Sequence, residues 1–161
     1  AGSSERADLQ AEAAASLAEM AQDSQAADAF CTAEAFQALK ALVESDQQEV
    51  AYPTARLLHS LVPRPKAKQY FADAELLAAI VDKVERSKAS PLVQNKFVQV
   101  LDSAVPRCAS ALSQQAVEKV DAALAKAMSS NLADTARRAL QEVHFTLQCQ
   151  CSGLPAREFD H

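Results

Sequence analysis

Glycine is nearly absent from this chain of 161 residues: only Gly2 and Gly153 occur, each within ten residues of an end. A β-rich chain of this size needs repeated turns at positive φ, which glycine supplies most readily, and nothing between those two positions supplies it. That argues against sandwiches, barrels, glycine-rich phosphate loops and dinucleotide-binding fingerprints. Tryptophan is missing and aromatics make up 5%, so the core is expected to consist of many thin helix–helix contacts rather than a few large rings. No apolar run approaches the ~18–20 residues of a membrane span, and no secretory signal pattern opens the chain. Four cysteines, Cys31, Cys108, Cys149 and Cys151, are too few and too irregular for a disulfide framework. A reducing, cytoplasmic compartment is the expectation.

What is present points the same way. Alanine makes up roughly a fifth of the residues, and leucine, glutamine and glutamate dominate the remainder, all favourable helix formers. The class expected is all-α. The formal net charge of −5 is unevenly spread: residues 1–50 carry ten acids against two bases, and residues 51–100 carry eight bases against four acids. The acidic balance argues against a nucleic-acid partner, which must be neutralised by many basic groups.

Hydrophobic periodicity predicts a helix over 6–21 with Leu9, Ala13, Leu17 and Met20 on one stripe, and a second over 32–43 opened by Thr32 as N-cap. Pro53 predicts a short helix, a bend and a longer helix within 47–62. Further helices are expected through Leu76, Ile80 and Val84, and from Pro91 to a stop at Pro106. Two more are expected around Val117–Leu124 and Leu132–Val143.

Set out in this way, the chain repeats itself. Leu9, Ala13, Leu17 and Met20 recur as Val50, Thr54, Leu58 and Leu61, then as Val93, Phe97, Leu101 and Ala104, then as Leu132, Ala136, Leu140 and Val143, at offsets of 41, 43 and 39. An interleaved series, beginning at Phe30, Phe71 and Gln114, has offsets of 41 and 43. A shared period near 40 is the signature of a helical solenoid.

The stretch from Asp8 to Ala21 resembles the first two helices of an armadillo repeat, and that from Ala29 to Val43 resembles its third. Asp46-Gln47-Gln48-Glu49-Val50 with Pro53 is similar to the opening of the next unit. The resemblance spans about residues 5–150 and drifts toward HEAT-like helix pairs in the second half. It implies a right-handed armadillo/HEAT-type solenoid of about three to four repeats, flanked by residues 1–4 as a tag remnant or disordered segment and 151–161 as a tail or cap. The whole is expected to be a piece of a larger protein. The resemblance also implies a groove that binds extended peptides or partner helices, with no catalytic group of its own. The family's glycine before the third helix is replaced here by Thr32-Ala33 and Asp73-Ala74. The asparagine and tryptophan residues of its peptide-reading groove are missing, so that mode of binding does not carry over.

Two sets of cations are candidate binding residues. Arg64, Lys66 and Lys68, with Arg86 and Lys88 one repeat helix away, are expected along one edge, where they could dock an acidic peptide, a tubulin-like tail or an anionic lipid surface. The competing reading is a solvated rim. Lys40, Lys83 and Lys126 are spaced by 43 twice over and could form a row, although the hydrophobic register predicts 41 for the first interval. His144, Cys149, Cys151 and His161 are soft ligands at no standard zinc spacing, so no metal or other cofactor is assigned. Three histidines and no arguable nucleophile–base pair give no basis for an enzyme.

The expected function is therefore a non-enzymatic protein-interaction module, an adaptor or scaffold domain. The alternatives are an armadillo-type co-chaperone that promotes nucleotide exchange on an Hsp70 and, less favoured by the charge, a HEAT-like nucleic-acid clamp. The unlike charge of different parts of the chain also admits head-to-tail self-association.

Overall fold

The computed structural model describes residues 2–151, with side chains described for residues 8, 9 and 11–149. Nine α-helices and two 3-10 turns form among the described residues, and no strand. They are α1 (Gly2–Met20), α2 (Ser24–Ala29), α3 (Ala33–Glu44), α4 (Gln48–Leu61), α5 (Lys68–Phe71), α6 (Ala74–Arg86), α7 (Pro91–Cys108), α8 (Gln114–Met128) and α9 (Asp134–Cys151). The all-α class read from the sequence is what the chain adopts. The segment 2–4, set apart in the sequence reading, belongs to α1, and the tail beyond Cys151 lies outside the described residues.

The scarcity of glycine is explained at the corners. Asp23, Thr32, Asp73 and Ser113 each cap a helix by accepting from an amide in its first turn, at 3.0–3.2 Å. Thr32 and Asp73, which stand where an armadillo unit places its glycine, have φ of −130° and −128°. Those are extended angles that any residue adopts, so the turn is made by a side-chain cap rather than by a left-handed residue.

The helices pack in two layers. In the first, α1 lies against α4, α4 against α7 and α7 against α9. In the second, α3 lies against α6 and α6 against α8. The contacts α3–α4, α6–α7 and α8–α9 join the layers, and the core runs between them through Leu58, Leu61, Leu77, Ile80, Phe97, Leu101 and Leu140. Phe36 ties α3 to α5, stacking on Tyr70 and meeting Phe71 edge to face, both with ring centroids 5.2 Å apart.

Burial corrects the register of α1. Leu9 and Met20 are 67% and 54% exposed, Ala13 is exposed, and the helix turns Ala14, Ala18 and Ala21 onto α4 instead. The aligned positions are therefore Ala14, Ala18, Ala21; Thr54, Leu58, Leu61; Phe97, Leu101, Ala104; and Ala136, Leu140, Val143, all buried. The first offset is 40, not 41. Methyl-sized side chains let two helix axes approach closely, so the face of lower hydrophobicity makes the contact.

The prolines also behave differently from expectation. Both α4 and α7 run through their internal prolines, Pro53 and Pro106. Each proline deprives only one carbonyl of its helical donor, that of Glu49 or Asp102 four residues earlier, and both of these residues are exposed to water.

Candidate functional site

The cations singled out from the sequence find very different surroundings. Arg64 is held by Asp28 of α2, with Nε 2.9 Å from Oδ1 and Nη2 3.1 Å from Oδ2. That bidentate pair draws Asp28 below the ordinary carboxylate range, the Arg64 hydrogen bond being the main cause, and raises Arg64. Arg64 thus ties the loop after α4 to α2, while its neighbours Lys66 and Lys68 are exposed.

Lys40, Lys83 and Lys126 do not share one environment. Lys40 pairs with Glu75 across α3 and α6 at 2.6 Å. This pair belongs to a groove of about 330 Å³ on the second layer, floored by Ala78 and Ala79 and edged by Glu44, Asp82 and Lys119. Lys126 is exposed on α8. Lys83 is 6% exposed and is the one buried charged side chain among the described residues.

Lys83 brings the site into view. It lines a cavity of about 420 Å³ where the α3–α4 turn meets the end of α6 and the start of α7, with Asp46, Gln48, Arg86, Ser87 and Ser90 among the other lining residues. Lys83 Nζ donates to the Ser45 carbonyl at 2.7 Å, at the carboxyl end of α3, where a cation complements the helix dipole. Burial holds its ammonium below the usual lysine value, and Arg86 adds to the effect while Asp46 and Asp82 oppose it. Arg86 at the mouth takes two carboxylates: Asp46 through Nη1 at 2.7 Å and Asp82 through Nε at 2.9 Å. Asp46 is 88% exposed.

Local sequence builds this corner. The Ser87 hydroxyl donates to the Lys83 carbonyl at 2.6 Å, and the buried Gln94 amide donates to the Val84 carbonyl at 2.9 Å, so the carbonyls ending α6 are closed off from the cavity. The two helices that begin there are less finished. Gln47 and Ser90, the N-caps of α4 and α7, make no side-chain capping bond. Gln48, the first residue of α4, and Ser90, the N-cap of α7, both line the cavity.

Sequence reasoning had named Arg86, Lys88 and Lys83 but placed them in two separate sets. The structure brings Lys83 and Arg86 together, with Lys88 exposed in the loop between α6 and α7. The sequence pattern alone does not mark Ser45, Asp46, Gln48 and Ser90 as members of this site. A signal was present: Asp46 precedes Arg86 by 40 residues, close to the offsets of 41 and 43 in the hydrophobic series of the sequence.

Of the soft ligands, His144 Nδ1 lies 2.8 Å from Asp121 Oδ1, and Gln148 donates to the other oxygen of the same carboxylate. The Cys151 side chain and His161 are outside the described residues. Among those that are described, no three His, Cys, Asp or Glu are grouped to hold a metal ion, and no helix is long and apolar enough to cross a membrane. Comparison with protein-family models, curated proteins and solved structures returned no match for this chain.

Proposed function

We propose that the chain is a non-enzymatic protein-interaction module, an armadillo-type solenoid of three to four repeats that serves as an adaptor or scaffold domain and recognises an acidic partner segment. The observation that carries the reading is the corrected register: four helices of one layer present equivalent buried positions at offsets of 40, 43 and 39. Each of these helices lies beside the next in chain order. Units of this kind cannot bury their apolar faces alone, and stacking them creates a long continuous surface suited to extended ligands. The cavity at Lys83 and Arg86, with exposed Lys66, Lys68 and Lys88 elsewhere on the basic middle of the chain, supports an acidic ligand.

Panning the immobilised protein against a random peptide library tests this reading. Enrichment of acidic sequences that bind in solution is the expected outcome, and failure to enrich any binder counts against it. Accelerated release of labelled ADP from an Hsp70 on mixing would move the assignment to the co-chaperone class.

A further inference from the structure

We propose that the cavity between the α3–α4 turn, the end of α6 and the start of α7 is a receptor for one carboxylate side chain of an acidic peptide, with Lys83 and Arg86 as its binding cations. The inference rests on the interaction-module reading and adds the chemistry of one contact. Its first support is Lys83. A buried charge is normally paired, because an isolated one forfeits its hydration. Lys83 forms no ion pair among the described residues and gives one hydrogen bond, to the Ser45 carbonyl, out of the three an ammonium can donate. Two donors and a positive charge are thus left on a side chain that lines a cavity of about 420 Å³.

The second support is Asp46. Its carboxylate rests on Arg86 at 2.7 Å at the cavity mouth while remaining 88% exposed, so it marks where an oxyanion sits and is free to swing away. Arg86 keeps Asp82 when Asp46 leaves, through the 2.9 Å bond along its own helix. An incoming carboxylate then replaces Asp46 on Arg86 and reaches inward to Lys83, between Gln48 at the start of α4 and Ser90 at the start of α7. Asp46 is in this sense an internal competitor for the site.

The experiment is an amide-resolved NMR titration of the full chain with an acetylated hexaglutamate peptide, and separately with inorganic phosphate. The expected result is a set of peptide-induced shifts centred on residues 45–48 and 83–90. Lys83→Met should weaken binding by at least about tenfold, as for loss of a buried charge contact. Asp46→Asn should tighten it by up to about fivefold, the worth of an exposed ion pair. Because Asp46→Asn removes a competitor from Arg86 and leaves the core untouched, it tests the Arg86 half of the site separately from any structural role of Lys83. No shift at these residues, shifts that persist in Lys83→Met, or no gain in Asp46→Asn overturns the inference. Binding of phosphate without the peptide overturns the assignment to a peptide carboxylate. In each of these cases the library panning still decides the interaction-module reading independently.

Discussion

Arg64 grips Asp28 with both arms of its guanidinium, at 2.9 and 3.1 Å, across 36 residues of sequence. By composition Arg64 belongs with Lys66 and Lys68 in a basic loop, yet its charge is spent internally, holding the loop after α4 against α2. A binding surface built from that cluster therefore rests on Lys66 and Lys68 alone.

The pair makes stability fall in acid. The folded Asp28 carboxyl titrates below its ordinary value of 3.8 because Arg64 favours the charged form, so the unfolded chain binds the proton first as the pH drops. The stabilisation is complete above the unfolded value and is lost as the pH falls through the folded one. Thermal melts from pH 6 down to about pH 2 should show a steeper loss for the native chain than for Arg64→Gln. Parallel curves would show that the pair contributes nothing.

His59 gives a second pH dependence of the same sign at higher pH. It lies on α4 with Nδ1 3.4 Å from Lys96 Nζ of α7, and burial, followed by that lysine, pushes its pKa below 6.5. The unfolded chain therefore takes up a proton that the folded chain resists, and stability rises with pH until the unfolded histidine is neutral. Urea midpoints should increase from about pH 5 to pH 7.5, and His59→Leu should reduce that increase. A His59→Leu variant with the full native pH dependence would assign the effect to other groups.

The one-residue register of α1 can be tested by stability. Ala18 is 1% exposed against α4, so Ala18→Leu forces a larger side chain into a close helix contact and should cost about 1–3 kcal/mol. Leu9→Gln and Met20→Gln, on the exposed face, should stay within about 0.5 kcal/mol. Chemical denaturation that ranked these in the opposite order would restore the Leu9–Met20 stripe as the packed face.

Thr54 occupies a core position of α4 equivalent to Phe97 and Ala136, and its buried hydroxyl has no hydrogen-bond partner among the described residues. Thr54→Val keeps the shape and removes the unsatisfied group, so the protein should gain about 1 kcal/mol, the lower end of the cost of burying such a group. Thr54→Ala removes the group and leaves a void, and should gain less than the valine or lose stability. A destabilised valine variant would mean that the hydroxyl is satisfied.

Legibility followed the physics of each feature. Thr32 as a cap and Pro91 as a first-turn residue were readable because both act within a few residues of themselves, and both open their helices as expected. The α4, α7 and α9 stripes were readable because large side chains dominate them. The α1 stripe was misread because hydrophobicity ranks Leu9 and Met20 above Ala14 and Ala18, whereas close approach of α1 to α4 rewards the smaller pair. Pro53 and Pro106 signalled interruptions that the exposure of Glu49 and Asp102, the residues whose carbonyls lose a helical donor, makes unnecessary. The partners of Arg64, Lys40 and Arg86, namely Asp28, Glu75 and Asp46, lie 35–40 residues away, beyond any pattern confined to one helix.

The sequence by itself determined the helical class, the Thr32 cap and the spacing near 40 of its hydrophobic stripes, because propensity, capping and amphipathic spacing are short-range effects encoded residue by residue. Only the tertiary structure decided which face of α1 is buried and which cations are neutralised. It also left Lys83 buried without a counter-ion among the described residues, while Arg64 became part of the frame. Those outcomes depend on what a neighbouring helix presents across the contact, and the energy of a charge is set by the water it loses and the partner it meets.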